Sequence, residues 1–140
     1  MRVLLVDDEK DTNRAMACFL DSSDVEILPV TDSVEAARHI TNQHFDAMII
    51  DVHMPSPDGL ELTRLARRAS INRTTPIALI SGDEDIETRL KGLEAGASCF
   101  AGKPVTPKKI RRILQFLRGP VSSDTRSRAR FSFRTGAGRS

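Results

Sequence analysis

The sequence predicts an α/β domain, a doubly wound parallel sheet of five strands built from five βα units, (βα)5, in the strand order 2-1-3-4-5. Three observations predict it. Short continuous apolar runs recur through the first 118 residues, the pattern of parallel strands covered on both faces. Between them lie stretches with apolar residues at helical spacing. The chain has 140 residues, 39% of them hydrophobic, which is one domain's worth and enough to bury a core.

The elements follow in order. "RVLLV" (2–6) is the first strand. "VEILPV" (25–30) is the second, and Pro29 places it at a sheet edge because proline cannot donate to a ladder. "AMII" (47–50) and "PIALI" (76–80) are the third and fourth, short continuous apolar runs as expected for parallel strands covered on both faces. "ASCFA" (97–101) is short and only partly apolar, which also suits an edge. Among the helices, Leu62, Leu65, Ala66 and Ala69 form one apolar stripe, and Ile110, Ile113, Leu114 and Leu117 another; Ile86, Leu90 and Leu93 make a thinner one. Right-handed crossovers, with the second and fifth strands at the edges, give the order 2-1-3-4-5.

Composition excludes several functions. There is no Trp and no Tyr and only six Phe, so the core is aliphatic and no aromatic platform for stacking bases is available. Cys18 and Cys99 lack metal-ligand spacing and read as buried free thiols in a reducing compartment. The opening "MRVLLV" is too short an apolar run for a signal peptide, and no segment reaches membrane-spanning length, so a cytoplasmic location without membrane contact is expected. The net charge of +2 conceals an asymmetry. Residues 1–118 hold sixteen Lys and Arg against eighteen Asp and Glu, while residues 119–140 hold five Arg against the single Asp124.

In an open sheet of this order the first and third strands are neighbours, and ligands bind beyond the carboxyl ends of the strands near that switch point. The residues at those ends are polar. The first strand delivers Asp7 and Asp8, the third Asp51, the fourth Ser81, and the fifth Lys103. The stretch "IIDVHMPSPDG" (49–59) stops a buried strand on Asp51 and then blocks regular structure with two prolines and a glycine. Two carboxylates about 4 Å apart repel by about 4 kcal/mol at an effective dielectric near 20, so this group must be protonated, paired or bound to a cation. An all-oxygen set with few protein ligands suits Mg²⁺, which keeps several waters and shares phosphate oxygens. Ser81 and Lys103 have the character of donors to the remaining phosphate oxygens.

"LLVDDE", "IIDVHMPSPDG", "ISG" and "FAGKP", in this order and spacing, resemble the receiver domains of two-component response regulators, over residues 1–118. The resemblance implies a flavodoxin-like fold and a phosphorylation-dependent signalling switch, not an enzyme beyond its own Mg²⁺-dependent phosphorylation and dephosphorylation. It implies that Asp51 accepts a phosphoryl group from a histidine kinase or phosphotransfer protein. Mg²⁺ would be held by Asp8 and Asp51 directly, by Asp7 through water and by the backbone carbonyl of His53. Ser81 and Lys103 would hold the acyl phosphate, Ser81 and Phe100 would form the switch, and Lys103–Pro104 would be a cis peptide. The implied partner downstream is a protein or a fused output domain, with no nucleic-acid binding by the receiver. The chain departs from common family choices at Phe100, which has no hydroxyl, and at His53 and Asp83, which flank the path of an attacking water.

Other functions on such a sheet fit less well. A flavin or nucleotide enzyme needs a glycine-rich loop after the first strand, where "VDDEKDTNR" stands instead. A phosphate-independent binding module has no use for the acidic set. The tail, residues 119–140, reads as a basic flexible segment or as the start of an output domain outside this chain. Gly119–Pro120 stops the fifth helix, and in "RARFSFR" the residues Ala129, Phe131 and Phe133 alternate with polar ones at strand period. The five-stranded fold offers no place for a sixth strand there, so such a segment is expected to stay disordered or to borrow a neighbour's edge.

Overall fold

In the computed structural model, the described residues are 1–82, 85–119 and, as backbone, 131–133. The element order is β1 (Arg2–Val6), α1 (Lys10–Leu20), β2 (Glu26–Val30), α2 (Ser33–Asn42), β3 (Ala47–Asp51), α3 (Gly59–Arg68), a single 3-10 turn at Ser70–Asn72, β4 (Ile77–Ser81), α4 (Ile86–Ala95), β5 (Cys99–Gly102), α5 (Pro107–Arg118) and β6 (Phe131–Phe133). All pairings between strands are parallel, and the sheet order is β2-β1-β3-β4-β5-β6. The first five strands thus take the expected order 2-1-3-4-5.

The period of two along each strand sorts the core into two layers. Leu4, Val6, Met48, Ile50, Ile77, Leu79 and Phe100 pack with Ala36 and Ile40 of α2 and with Leu62 and Ala66 of α3. Val3, Leu5, Ala47, Ile49, Ala78, Ile80, Cys99 and Ala101 pack with Met16 and Leu20 of α1 and with all four expected apolar residues of α5. β3 and β4 are buried along their whole length, whereas β2 is half exposed and carries Pro29, as an edge strand should.

Buried polar side chains tie the connections down. Asn72 donates to the carbonyls of Ile40 and Gln43 and accepts from the Phe45 N–H and the Thr75 hydroxyl. Arg67 donates to the carbonyls of Gly96, Asn72, Arg73 and Thr75, joining the end of α3 to the turn after α4. Burial lowers its pKa.

Three expectations need correction. β5 is not the edge of the sheet: Phe131–Phe133 pairs with it in the register Cys99↔Phe131, Phe100↔Ser132 and Ala101↔Phe133. Two of the three residues of the stripe assigned to α4 are turned outward, Ile86 67% and Leu90 55% exposed, and Leu93 is half-buried. Small residues make the contact instead. A Cβ on Gly92 would stand 3.0 Å from Leu79 Cδ1 and 3.2 Å from Phe100 Cδ2, so the helix rests on the sheet through Gly92 and Ala95. Cys18 is exposed, because α1 buries the line through Asn13, Met16 and Leu20; Cys99 is buried, and burial pushes its thiol up to about 12. Asp83 and most of residues 119–140 lie outside the described residues, so the expectations placed on them stand as sequence readings.

Candidate functional site

Strand register brings the polar ends together. Val6 pairs with Ile50, so Asp7 and Asp51, the next residue on each chain segment, emerge side by side. Asp51 pairs with Ile80, and Ser81 with Gly102, which sets Lys103 beside the same edge. Carboxylate oxygens of Asp7, Asp8 and Asp51 lie within 4.8 Å of one another. Lys103 Nζ stands 3.4 Å from Asp7 Oδ2 and 3.5 Å from Asp51 Oδ1. The Lys103 backbone N–H donates to the Ser81 carbonyl at 2.8 Å, holding the ends of β4 and β5 level. The five polar strand-end residues, Asp7, Asp8, Asp51, Ser81 and Lys103, therefore meet at one edge.

Their environments differ. Asp7 and Ser81 are fully buried and Asp51 is 5% exposed, while Asp8 faces solvent. Burial, then the neighbouring charge of Asp7, pushes the Asp51 carboxyl up to about 6; Lys103 and the backbone N–H of His53 pull it the other way. At Lys103 burial works against the ammonium, but the charges of Asp51 and Asp7 outweigh it and its pKa is raised. Lys103 thus pairs with Asp7 and Asp51 while Asp8 stands beside them, so the group carries more negative than positive charge. Such a donor set, all oxygen with one member open to solvent, fits a hard divalent cation. His53 is exposed, and Phe100 is 1% exposed in the layer that contains Leu79. The Lys103–Pro104 peptide is cis as the resemblance implied, and so is Ser56–Pro57.

Two further residues shape the site. A Cβ on Gly59 would lie 2.4 Å from the Asp51 carbonyl oxygen and 2.7 Å from Val52 Cα, so α3 starts in contact with the end of β3. The Gly59 N–H donates to the Val52 carbonyl at 2.9 Å, and Asp58 with Glu61 forms a capping box that fixes this start. Gly59 in the 49–59 stretch serves this close approach. Asn13 is the other. Its side-chain amide donates to the carbonyls of Leu5, Asp7 and Val30, pinning the backbone that carries Asp7 to β2. Its signal in the sequence was a polar residue three and seven positions before the apolar Met16 and Leu20.

The family model described as "Response regulator receiver domain" matches residues 3–115. The transcriptional regulatory protein PrrA of Mycobacterium tuberculosis is 32% identical over 127 residues, 90% of this chain and 54% of that protein. Protein PetR of Rhodobacter capsulatus is 33% identical over 108 residues, 77% of this chain and 44% of that protein. The chain spans about half the length of the curated relatives it matches. Among solved structures, the Vibrio cholerae chemotaxis response regulator CheY4 aligns with a TM-score of 0.77 at 28% identity, over 83% of this chain and 97% of that one. The receiver domain of the sensor histidine kinase PA1611 of Pseudomonas aeruginosa aligns with a TM-score of 0.76 at 28% identity, over 85% and 98%. That domain holds a magnesium ion coordinated in its active-site cleft.

Proposed function

The chain belongs to the response regulator receiver domain family, and from that premise we propose that Asp51 is its phosphoacceptor. A receiver is a signalling domain, and its chemistry serves to change its own state. The observation that carries the assignment is that Asp51 is the carboxylate at the end of β3, grouped with Asp7 and Asp8 and 3.5 Å from Lys103 Nζ. One Asp51 oxygen attacks phosphorus while the bond to the donor's nitrogen or oxygen breaks and the electron pair leaves with the donor. Mg²⁺, when bound, screens the phosphoryl oxygens from the carboxylates and stabilises charge that develops on them. Asp8 and Asp51 would hold it directly, Asp7 through water and His53 through its backbone carbonyl. Lys103 binds a phosphate oxygen, exchanging its contact with Asp51 for a more charged partner. Ser81 holds a second oxygen, and Phe100 moves with it as the packing element of the switch.

The acyl phosphate adds about 1.5 to 2 negative charges at this edge and draws Ser81 and Lys103 toward it. That biases the face formed by α4, β5 and α5 between two states. The donor is a histidine kinase or a phosphotransfer protein, and the recipient of the signal is a downstream protein or an output domain. The setting is the cytoplasm. Incubation with acetyl phosphate and Mg²⁺ tests the assignment: one alkali-labile adduct is expected, absent from Asp51→Asn. An adduct that persists in that variant refutes Asp51 as the sole acceptor.

A further inference from the structure

β6 extends the sheet by a connection that sheets rarely make. The helices α2 and α3 that cross between successive strands toward β4 pack on one face, and α4 rests on that same layer through Leu79 and Phe100. α5 packs with α1 on the opposite face. Moving from β5 to β6 continues in the direction of β3, β4 and β5, but the crossing helix is now on the other side. The β5–α5–β6 crossover is therefore left-handed, whereas about 98% of parallel crossovers in one sheet are right-handed. The favoured twist of strand and helix does not help close this connection. Only three residues pair.

The pairing is nevertheless suited to these residues. Without β6, the outer backbone of β5 is a row of unsatisfied donors and acceptors between α4 and α5. The segment that meets it is the one with alternating apolar residues in an otherwise polar tail. A three-residue strand, held by a few backbone hydrogen bonds at the end of a crossover of the disfavoured hand, has the energetics of a reversible contact.

We propose that the outer edge of β5 is a strand-docking site whose occupant is this chain's own Phe131–Phe133 segment, bound reversibly. Docked, the segment closes the β5 edge at the level of Phe100; released, it opens that edge to other strands. The inference does not rest on the phosphoacceptor reading, since the docking needs neither phosphate nor metal.

Amide hydrogen exchange on the full chain, without phosphodonor or Mg²⁺, tests it. The comparison is the double variant S132P/F133P, because successive residues of a strand point their N–H groups to opposite edges and one of the two must face β5. The variant is expected to exchange about tenfold faster in peptides covering 98–103, with β1 and β3 unchanged and no dependence on protein concentration. Identical exchange at 98–103 in both proteins overturns the proposal. Loss of protection in β1 and β3 as well overturns the reversible contact, since the strand would then support the whole fold. Protection that rises with protein concentration together with a dimer mass assigns the occupant to a second copy and overturns docking within one chain.

Discussion

Replacing Asp51 by Asn in metal-free protein probes the charge imbalance at the site directly. The folded carboxyl titrates near 6 against an ordinary value of 3.8. Between those values the folded state binds more protons than the unfolded one, so stability falls as pH rises through the window from about 4 to 6 and stays low above it. The difference of 2.2 between those two values, at 1.36 kcal/mol per pH unit, gives about 3 kcal/mol. Asp51→Asn removes that cost and keeps the side chain's size. In EDTA at pH 7.5 the variant is expected to be more stable than the wild type by about 1–3 kcal/mol, a Tm higher by roughly 5–10 °C. Near pH 4 the two should coincide. Denaturant melts at pH 4, 5, 6 and 7.5 measure the difference, and added Mg²⁺ should close it by stabilising the wild type alone. A constant difference across the range would refute the reasoning, because a packing effect does not titrate.

The other predictions concern single contacts. Asp8→Asn should weaken Mg²⁺ binding more than Asp7→Asn, because both Asp7 oxygens are already engaged, by the Glu9 N–H and by Lys103, while Asp8 faces solvent. Losses of about tenfold for Asp7→Asn and more for Asp8→Asn are expected by calorimetry, and equal losses would contradict the assigned roles. Lys103→Ala should remain folded at pH 7 but lose about 1–2 kcal/mol without metal, since Asp7 and Asp51 lose their ammonium partner. Its phosphorylation by acetyl phosphate should be slower, and global unfolding would instead make Lys103 a structural residue. Gly59→Ala should cost about 3 kcal/mol in denaturant melts, because the new Cβ would press on the Asp51 carbonyl and Val52 Cα. A melt like that of the wild type would show that α3 can shift freely.

Much of the molecule was legible in one dimension because its physics is local and periodic. Continuous apolar runs mark strands covered on both faces, and β3 and β4 are buried from end to end. The four-residue stripe of α5 is buried as its spacing requires. Strand order follows from crossover handedness and edge residues, and it sends Asp7, Asp51, Ser81 and Lys103 to one side of the sheet. Their residue types then narrowed the chemistry to phosphate and a hard cation.

Other features depended on contacts between residues distant in the chain. Ile86 and Leu90 look like a core stripe, yet the depth at which α4 sits is decided by Gly92 against Leu79 and Phe100, so the large side chains face outward. Gly59 reads as turn chemistry in the sequence, while its use in packing α3 onto the end of β3 depends on a Cβ-sized gap. Asn13 gains its role only when Val30 of the neighbouring strand is within reach of its amide. The contacts of Phe131–Phe133 with β5 likewise need the folded edge as their template. Periodicity reports which side of an element faces the core, and so the sequence established five strands, their order and the polar residues that gather at their carboxyl ends. How closely two elements approach, and what completes an open backbone edge, depends on the shapes of surfaces that exist only after folding, and tertiary structure alone decided those.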